Sequence, residues 1–562
     1  MKLAFVSAGS AALFLTVAIA CRSSSEPPAP FTELNSQSAT TPSATLDAPS
    51  TTVGVSKLQP FLPAELCGKC HSQSASATAL TSATGDDVSP HGTWQATAMA
   101  NAFRDPYWRA QMSHEVERAP ERKIEIESLC LNCHAPIASH TARLTEAPAP
   151  SIESTVGDAL ANEGVSCTVC HRATSAGLGT PDSFEGRLAI QGDARIYGPF
   201  ADPAPGPMKA HTGFTPTFGA HISSSALCGS CHTLTTQPST GAKPFVEQAV
   251  YLEWRNSVFS DENGRSSESR TCQECHMPDA GAMRIARNPA GFDFNIQVRD
   301  PVRAHTFVGG NAFLIDLLRT NAAELGVIAT EGALKRVAAA TRAQLAHETA
   351  RLTISNAMRK QARISFDVKV ENLAGHKFPS GYPARRAWLD VEVRAGREVL
   401  FESGAVDERG ALVGVADELA LPHFDRIERA DQVQVYEMIA ADGSGRTTTS
   451  LISMASRLKD NRLLPRGWKS DGPHVADTHP VGVEGDDDFT AGSDVVTYDV
   501  EVKETDQPLL VIARLTYQSI PPAWASSLKD SKTPESVRFL TMYGRAKNEG
   551  EAVALTTVNV PR

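Results

Sequence analysis

Two thiols and an imidazole recur at one spacing five times: CGKCH at Cys67–His71, CLNCH at Cys130–His134, CTVCH at Cys167–His171, CGSCH at Cys228–His232 and CQECH at Cys272–His276. These motifs use every cysteine of the chain except Cys21. Disulfides suit an exported chain but require no histidine after each pair. Zinc takes two pairs per ion at looser spacing, and an odd number of pairs, each fused to a histidine, fits it poorly. A redox CxxC comes singly. What remains is covalent attachment of c-type haem: the thiols add to the two vinyl groups, and the adjacent imidazole reaches the iron. The sequence therefore predicts five covalent haems. Cys67, Cys70, Cys130, Cys133, Cys167, Cys170, Cys228, Cys231, Cys272 and Cys275 hold them, with His71, His134, His171, His232 and His276 as first iron ligands.

An iron with one histidine is open to substrate, and a second histidine or methionine closes it for electron transfer. Between the first motif and residue 310 stand six more histidines, His91, His114, His140, His211, His221 and His305. That supply covers five irons and predicts six-coordinate centres. His376, in GHKFPSG, is held in reserve and reads equally well as a hydrogen-bonded loop histidine. Met99, Met112 and Met277 are rival ligands, though methionine is also a packing residue. Spacing does not pair ligands with irons. Arg385 and Arg386 pair with haem propionates or are surface charges beside a strand. Asp486 to Asp488 read as a solvated acidic loop rather than a calcium site.

The elements that position these groups change character along the chain. Residues 58–310 read as short helices broken by Pro, Gly and Ser loops, the pentahaem cytochrome c domain. Residues 311–355 read as a helical connector: Phe313, Leu314, Leu317 and Leu318 share a face, and Leu334, Val337, Leu345 and Leu352 follow at helical spacing. Residues 356–562 switch to period two, as in Ile364, Phe366, Val368 and Val370, and predict a β-sandwich with an insertion over about residues 405–490. PLLVIARLTYQ is apolar throughout, as a central strand should be. The fold class is thus multidomain, a mainly α and irregular multihaem domain, then a helical connector, then an all-β sandwich.

Residues 1–20 read as an export signal, with Lys2 before an apolar run. The signal ends in VAIAC, which reads as a lipobox that makes Cys21 a lipidation site, or as an ordinary A-x-A cleavage site. The lipobox gives Cys21 a use, and residues 21–57 then form a Ser/Pro/Thr-rich tether. No later run is long enough to span a membrane. A formal net charge of −11 without a basic run argues against nucleic acid as partner.

The chain resembles the cytochrome c-552/4 group of multihaem c-type cytochromes, in the version with a C-terminal immunoglobulin-like domain. HGTWQATAMANAFRDPYW, EGVSCTVCHR, EQAVYLEWRNSVF, CQECHMPD and HTFVGGNAF carry the likeness in the first half, and NLAGHKFPSGYPARRAWLDV and LTYQSIPPAW in the second. The resemblance implies a bacterial exported electron-transfer protein in respiration. It would exchange electrons with cytochromes or quinol-linked donors, from the periplasm or outer membrane, at a membrane surface through its lipid anchor. An electron carrier is the expected function, without catalytic residues of its own. The alternative is a multihaem reductase of small nitrogen or sulfur oxyanions with one open haem.

Overall fold

The computed structural model describes residues 59–239 and 241–562. The expectations for the signal, Cys21 and the tether fall outside them. Among the described residues no helix is long and apolar enough to cross a membrane.

Each motif sits on a short helical turn. Helix α1 is Ala64–His71, α2 is Pro106–Arg118, α3 is Lys123–His134, α4 is Cys167–Arg172, α5 is Ser225–Gly229 and α6 is Cys272–His276. A helical turn brings residues three and four apart onto one face, so both thiols and the imidazole of a motif point the same way. In the fourth motif α5 ends early, but the amides of Cys231 and His232 both donate to the Cys228 carbonyl and continue the turn. Thr271 and Glu274 close a reciprocal capping box on α6.

Helix α7 (Ala312–Thr320) buries Phe313, Leu314, Leu317 and Leu318, and α8 (Glu331–Glu348) buries Leu334, Val337 and Leu345, as the periodicity predicts. Leu352 departs from that expectation. The helix stops at Glu348, and Leu352 lies on strand β1 (Ala350–Lys360), opposite Val370 of β2 (Arg363–Asn372). The sandwich therefore begins earlier than residue 356, because pairing with β2 captures the end of the helical pattern.

One sheet contains β1, β2, β5 (Ser493–Glu501) and the short strand Arg426–Ile427. The other runs β4-β3-β6-β7, where β3 is Arg386–Ala395, β4 Glu398–Ser403, β6 Leu509–Gln518 and β7 Glu551–Val560. Strand β6 pairs with both β3 and β7, the central place its apolar run predicts. Ile364, Phe366, Val368 and Val370 meet Leu389, Val391, Val393, Val511 and Leu515 in the core between the sheets.

The division near residue 355 is not how the rest of the core is built. Lys57–Arg562 form one compact unit. Helix α9 (Pro534–Tyr543), from the C-terminal half, returns to cover α2, with the Tyr107 and Phe539 rings 5.0 Å apart. Phe313, Leu317, Ile520 and Leu528 complete that cluster. The second half supplies apolar surface that the short helices of the first half lack.

Candidate functional site

All five motifs line one cavity of about 1520 Å³. Their ten thiols are free. The thiols of Cys67 and Cys167 are near neighbours, as are those of Cys133 and Cys231 and of Cys228 and Cys272. Cys170 lies within electrostatic reach of Cys231 and Cys228. The motifs are therefore contiguous. The first adjoins the third, the third the fourth, and the fourth also meets the second and the fifth.

Four motif imidazoles are held the same way. Nδ1 of His71 donates to the Ile285 carbonyl (2.8 Å), His134 to Ala102 (2.9 Å), His171 to Tyr197 (2.6 Å) and His276 to Val308 (2.6 Å). This fixes the tautomer and leaves Nε2 as an unprotonated lone pair facing the cavity. Burial lowers every motif histidine, His134 and His232 to about 4, so all are neutral at pH 7.

The structure sorts the other histidines. His305 and His376 line the cavity and also tie Nδ1 to a carbonyl, of Arg303 (3.0 Å) and Lys377 (2.7 Å). The His171 and His305 rings lie 6.3 Å apart at 23°, and the His276 and His376 rings 6.2 Å apart at 10°. His91 and His211 also line the cavity. His114, His140 and His221 are not among the residues that line it. His114 turns to Glu117 at 3.5 Å, and His221 spends Nε2 on the Ala173 carbonyl at 2.9 Å. His140 bonds Arg143 through Nδ1 (3.1 Å) and lies beside Phe61, with its Nε2 buried and without a hydrogen-bond partner.

Met99, Met112 and Met277 all reach the cavity wall, but Met112 packs against Ile126 and Ile452. Arg385 lines the cavity and donates to the Ser380 carbonyl at 2.6 Å. Arg386 fits neither expected role, because it is 1 % exposed, hydrogen-bonded to Gln518 and paired with Glu418 at 3.2 Å.

Sequence reasoning missed a set of buried polar groups beside the second motif. Asp105 caps α2 by accepting from the Tyr107 and Trp108 amides. The helix then points Tyr107, Trp108, Gln111 and Glu115 at the cavity. Trp108 stacks on His134, ring centres 4.1 Å apart and planes within 3°. Glu115 accepts from Gln111 (3.1 Å), Ser450 (2.6 Å) and the Leu451 amide (2.7 Å). The Tyr107 and Tyr382 hydroxyls and both carboxyl oxygens of Glu247 have no hydrogen-bond partner. Burial, and then the charge of Glu115, raise Glu247 to about 8, so its carboxyl is protonated at neutral pH. The i, i+4 spacing of Tyr107, Gln111 and Glu115 was the one signal for this set.

No protein-family model matches the chain, and no curated protein does. Among solved structures, the crystal structure of a penta-heme cytochrome c552 from Thermochromatium tepidum superposes on it with a TM-score of 0.52, covering 89% of this chain and 99% of that one. The two chains share a fold. They are 16% identical, so the likeness lies in the course of the backbone. It runs through both the motif-bearing half and the sandwich.

Proposed function

We propose that the chain is an exported pentahaem c-type cytochrome that transfers electrons between covalently held haems. The observation that carries this reading is the spacing of His171 from His305 and of His276 from His376, at 6.3 and 6.2 Å. A metal–imidazole bond is ~2.0 Å, and the ring centre lies ~1.1 Å beyond the nitrogen. Two imidazoles on opposite sides of one metal thus place their centres ~6.2 Å apart. Rings in direct face contact would be much closer, as Trp108 and His134 are.

The donor set fits haem c: five Cys-x-x-Cys-His turns on one apolar cavity, free thiols, and neutral imidazoles with Nδ1 already committed. A bound haem supplies one-electron chemistry at its iron. The cysteine pairs would hold it, the motif histidines would be its first ligands, and His305 and His376 would be second ligands paired with His171 and His276. The thiol contacts set an order in which the fourth motif joins the second, third and fifth. The backbone shared with a penta-heme cytochrome supports the same reading. Partners are other redox proteins, met after export and lipid anchoring at Cys21. Intact mass of the mature protein checks the central claim: five haems are expected, and a mature chain carrying none would refute it.

A second reading is favoured by one observation, the buried oxygens without hydrogen-bond partners beside the second motif. Four histidines besides the motif set line the cavity, against five motifs. Beside the second motif Glu247 and Tyr382 hold protons at unpartnered oxygens, as a site reducing a small nitrogen or sulfur oxyanion requires. The reduced wild-type protein then binds one carbon monoxide per chain, and the oxidised protein binds nitrite or sulfite at the same iron. A protein that binds none of these is a carrier alone.

A further inference from the structure

We propose that Glu247 takes up one proton each time the haem of the second motif is reduced, so that electron transfer at that haem is coupled to proton transfer. The inference rests on the haem reading above, since it needs a haem at Cys130 and Cys133. Glu247 lines the cavity from the short strand Phe245–Gln248, whose alternation turns Phe245 and Glu247 to the interior. That strand pairs with Leu234–Thr236, which follows closely on His232 of the fourth motif. The Cys130 thiol of the second motif lies within electrostatic reach of Glu247. The carboxyl therefore sits close to both of these adjoining motifs.

Glu247 is 3 % exposed, and neither of its carboxyl oxygens has a hydrogen-bond partner. The Gln248 amide is close enough to favour the charged form but makes no aligned hydrogen bond. Glu115 on α2 is the contrast, because the Gln111 and Leu451 amides and the Ser450 hydroxyl all donate to it. Donors favour the charged form of a carboxyl, and burial without them favours the acid. The other groups facing Glu247 do not replace those donors. Tyr382 is within electrostatic reach, with Tyr107 edge-on to it, and neither hydroxyl has a partner. Arg457 covers the Phe245 ring, but it donates to the Val246 carbonyl at 3.1 Å and pairs with Asp460 at 3.7 Å. Burial, and then the charge of Glu115, raise the Glu247 carboxyl to about 8.

Reduction changes the charge beside this group. The core of a haem carries one positive charge with iron(III) and none with iron(II). An oxidised second site therefore favours the Glu247 carboxylate, and a reduced one favours the acid. In the coupled step the iron(II) of the fourth site is oxidised to iron(III) and the iron(III) of the second site is reduced to iron(II). The Glu247 carboxylate takes one proton from hydronium in the solvent and becomes the acid. The reverse step returns both the electron and the proton. The net charge around the second motif stays constant, which avoids an uncompensated charge in a buried site. Because reduction consumes a proton, the potential falls as pH rises, by up to ~59 mV for each tenfold drop in proton concentration.

The test uses the full haem-bearing chain. Peptide mass first shows whether the haem at Cys130 and Cys133 is present; its absence from wild type would overturn the haem reading and the coupling together, whereas the later steps can overturn the coupling alone. Redox titration at a series of pH values should show a haem whose potential falls with rising pH. In Glu247→Gln that slope should drop by at least ~twofold, since the group that binds the proton is gone. Glu115→Gln should keep the slope but move it to lower pH, because it removes the charge that helps raise Glu247; a merely structural role predicts no such shift. Infrared difference spectra of wild type should gain a protonated-carboxyl C=O band on reduction, and Glu247→Gln should lack it. If the variant fails to fold, the wild-type titration and the wild-type band still decide. Wild-type potentials independent of pH, no carboxyl band gained on reduction, or a slope in Glu247→Gln equal to that of wild type would overturn the coupling.

Discussion

His376, on the loop after β2, holds its ring 6.2 Å from that of His276 on α6, the planes within 10° of parallel. The first belongs to the half with the sandwich and the second to the half with the motifs. The pair thus brings the two halves of the chain together at one place in the cavity. Glu253, fully buried before α6, accepts from the Lys377 amide and the Ser380 hydroxyl, and so fixes the loop that carries His376.

Removing a second ligand should open one iron. His376→Ala and His305→Ala should each add one carbon monoxide per chain to the reduced protein and produce a high-spin signal when oxidised. His114→Ala should add none, since that ring faces Glu117. Equal carbon monoxide binding by all three variants would refute the pairing with His276 and His171.

The motif turns and the sandwich strands were legible because each depends on local spacing: thiols three apart on a turn, apolar residues two apart on a strand. The second ligands were not. Whether a histidine faces the cavity depends on how its helix is rotated by distant packing. On α2, covering by α9 turns Tyr107, Gln111 and Glu115 inward and leaves His114 beside Glu117. His376 was in doubt because a ligand and a loop histidine look alike in sequence. Glu247 was invisible, since its importance comes from having no partner.

Asp460→Asn should destabilise the fold by about 3–5 kcal/mol, as when one member of a buried ion pair is removed. Asp460 is wholly buried between Lys377 Nζ (2.8 Å) and Arg462 Nε (2.7 Å), and Arg462 also pairs with Glu253 at 3.2 Å. The variant strands Lys377, while Arg462 keeps Glu253 as its carboxylate partner. Because Lys377 follows His376, the iron opposite His276 should also lose some low-spin character. Denaturant unfolding reads the first effect and oxidised spectra the second. A variant as stable as wild type would mean that solvent reaches the network.

Glu247 should make stability fall as pH rises. Its folded value is raised to about 8, while an unfolded glutamate titrates near ~4.3. Below ~4.3 both states hold the proton and the contribution is complete. Between there and about 8 the unfolded chain has released a proton that the folded chain keeps, costing up to ~1.4 kcal/mol per pH unit. Glu247→Gln keeps the shape without the titration. Its melting temperature should fall less steeply across that window and exceed that of wild type at the alkaline end. Parallel profiles would show that the carboxyl is solvated.

The fourth motif should be the junction of the electron route. Its thiols meet Cys133 of the second motif and Cys272 of the fifth, and Cys170 of the third is within reach, whereas Cys67 of the first meets Cys167 of the third. Cys228→Ala with Cys231→Ala should cost one haem by mass and separate the second and fifth sites from the rest. Reduction of the remaining haems by a small donor, followed by stopped flow, should then split into distinct phases. Cys67→Ala with Cys70→Ala also costs one haem, but from the end of the series, and should leave a single main phase. Identical kinetics in the two variants would contradict the branched order.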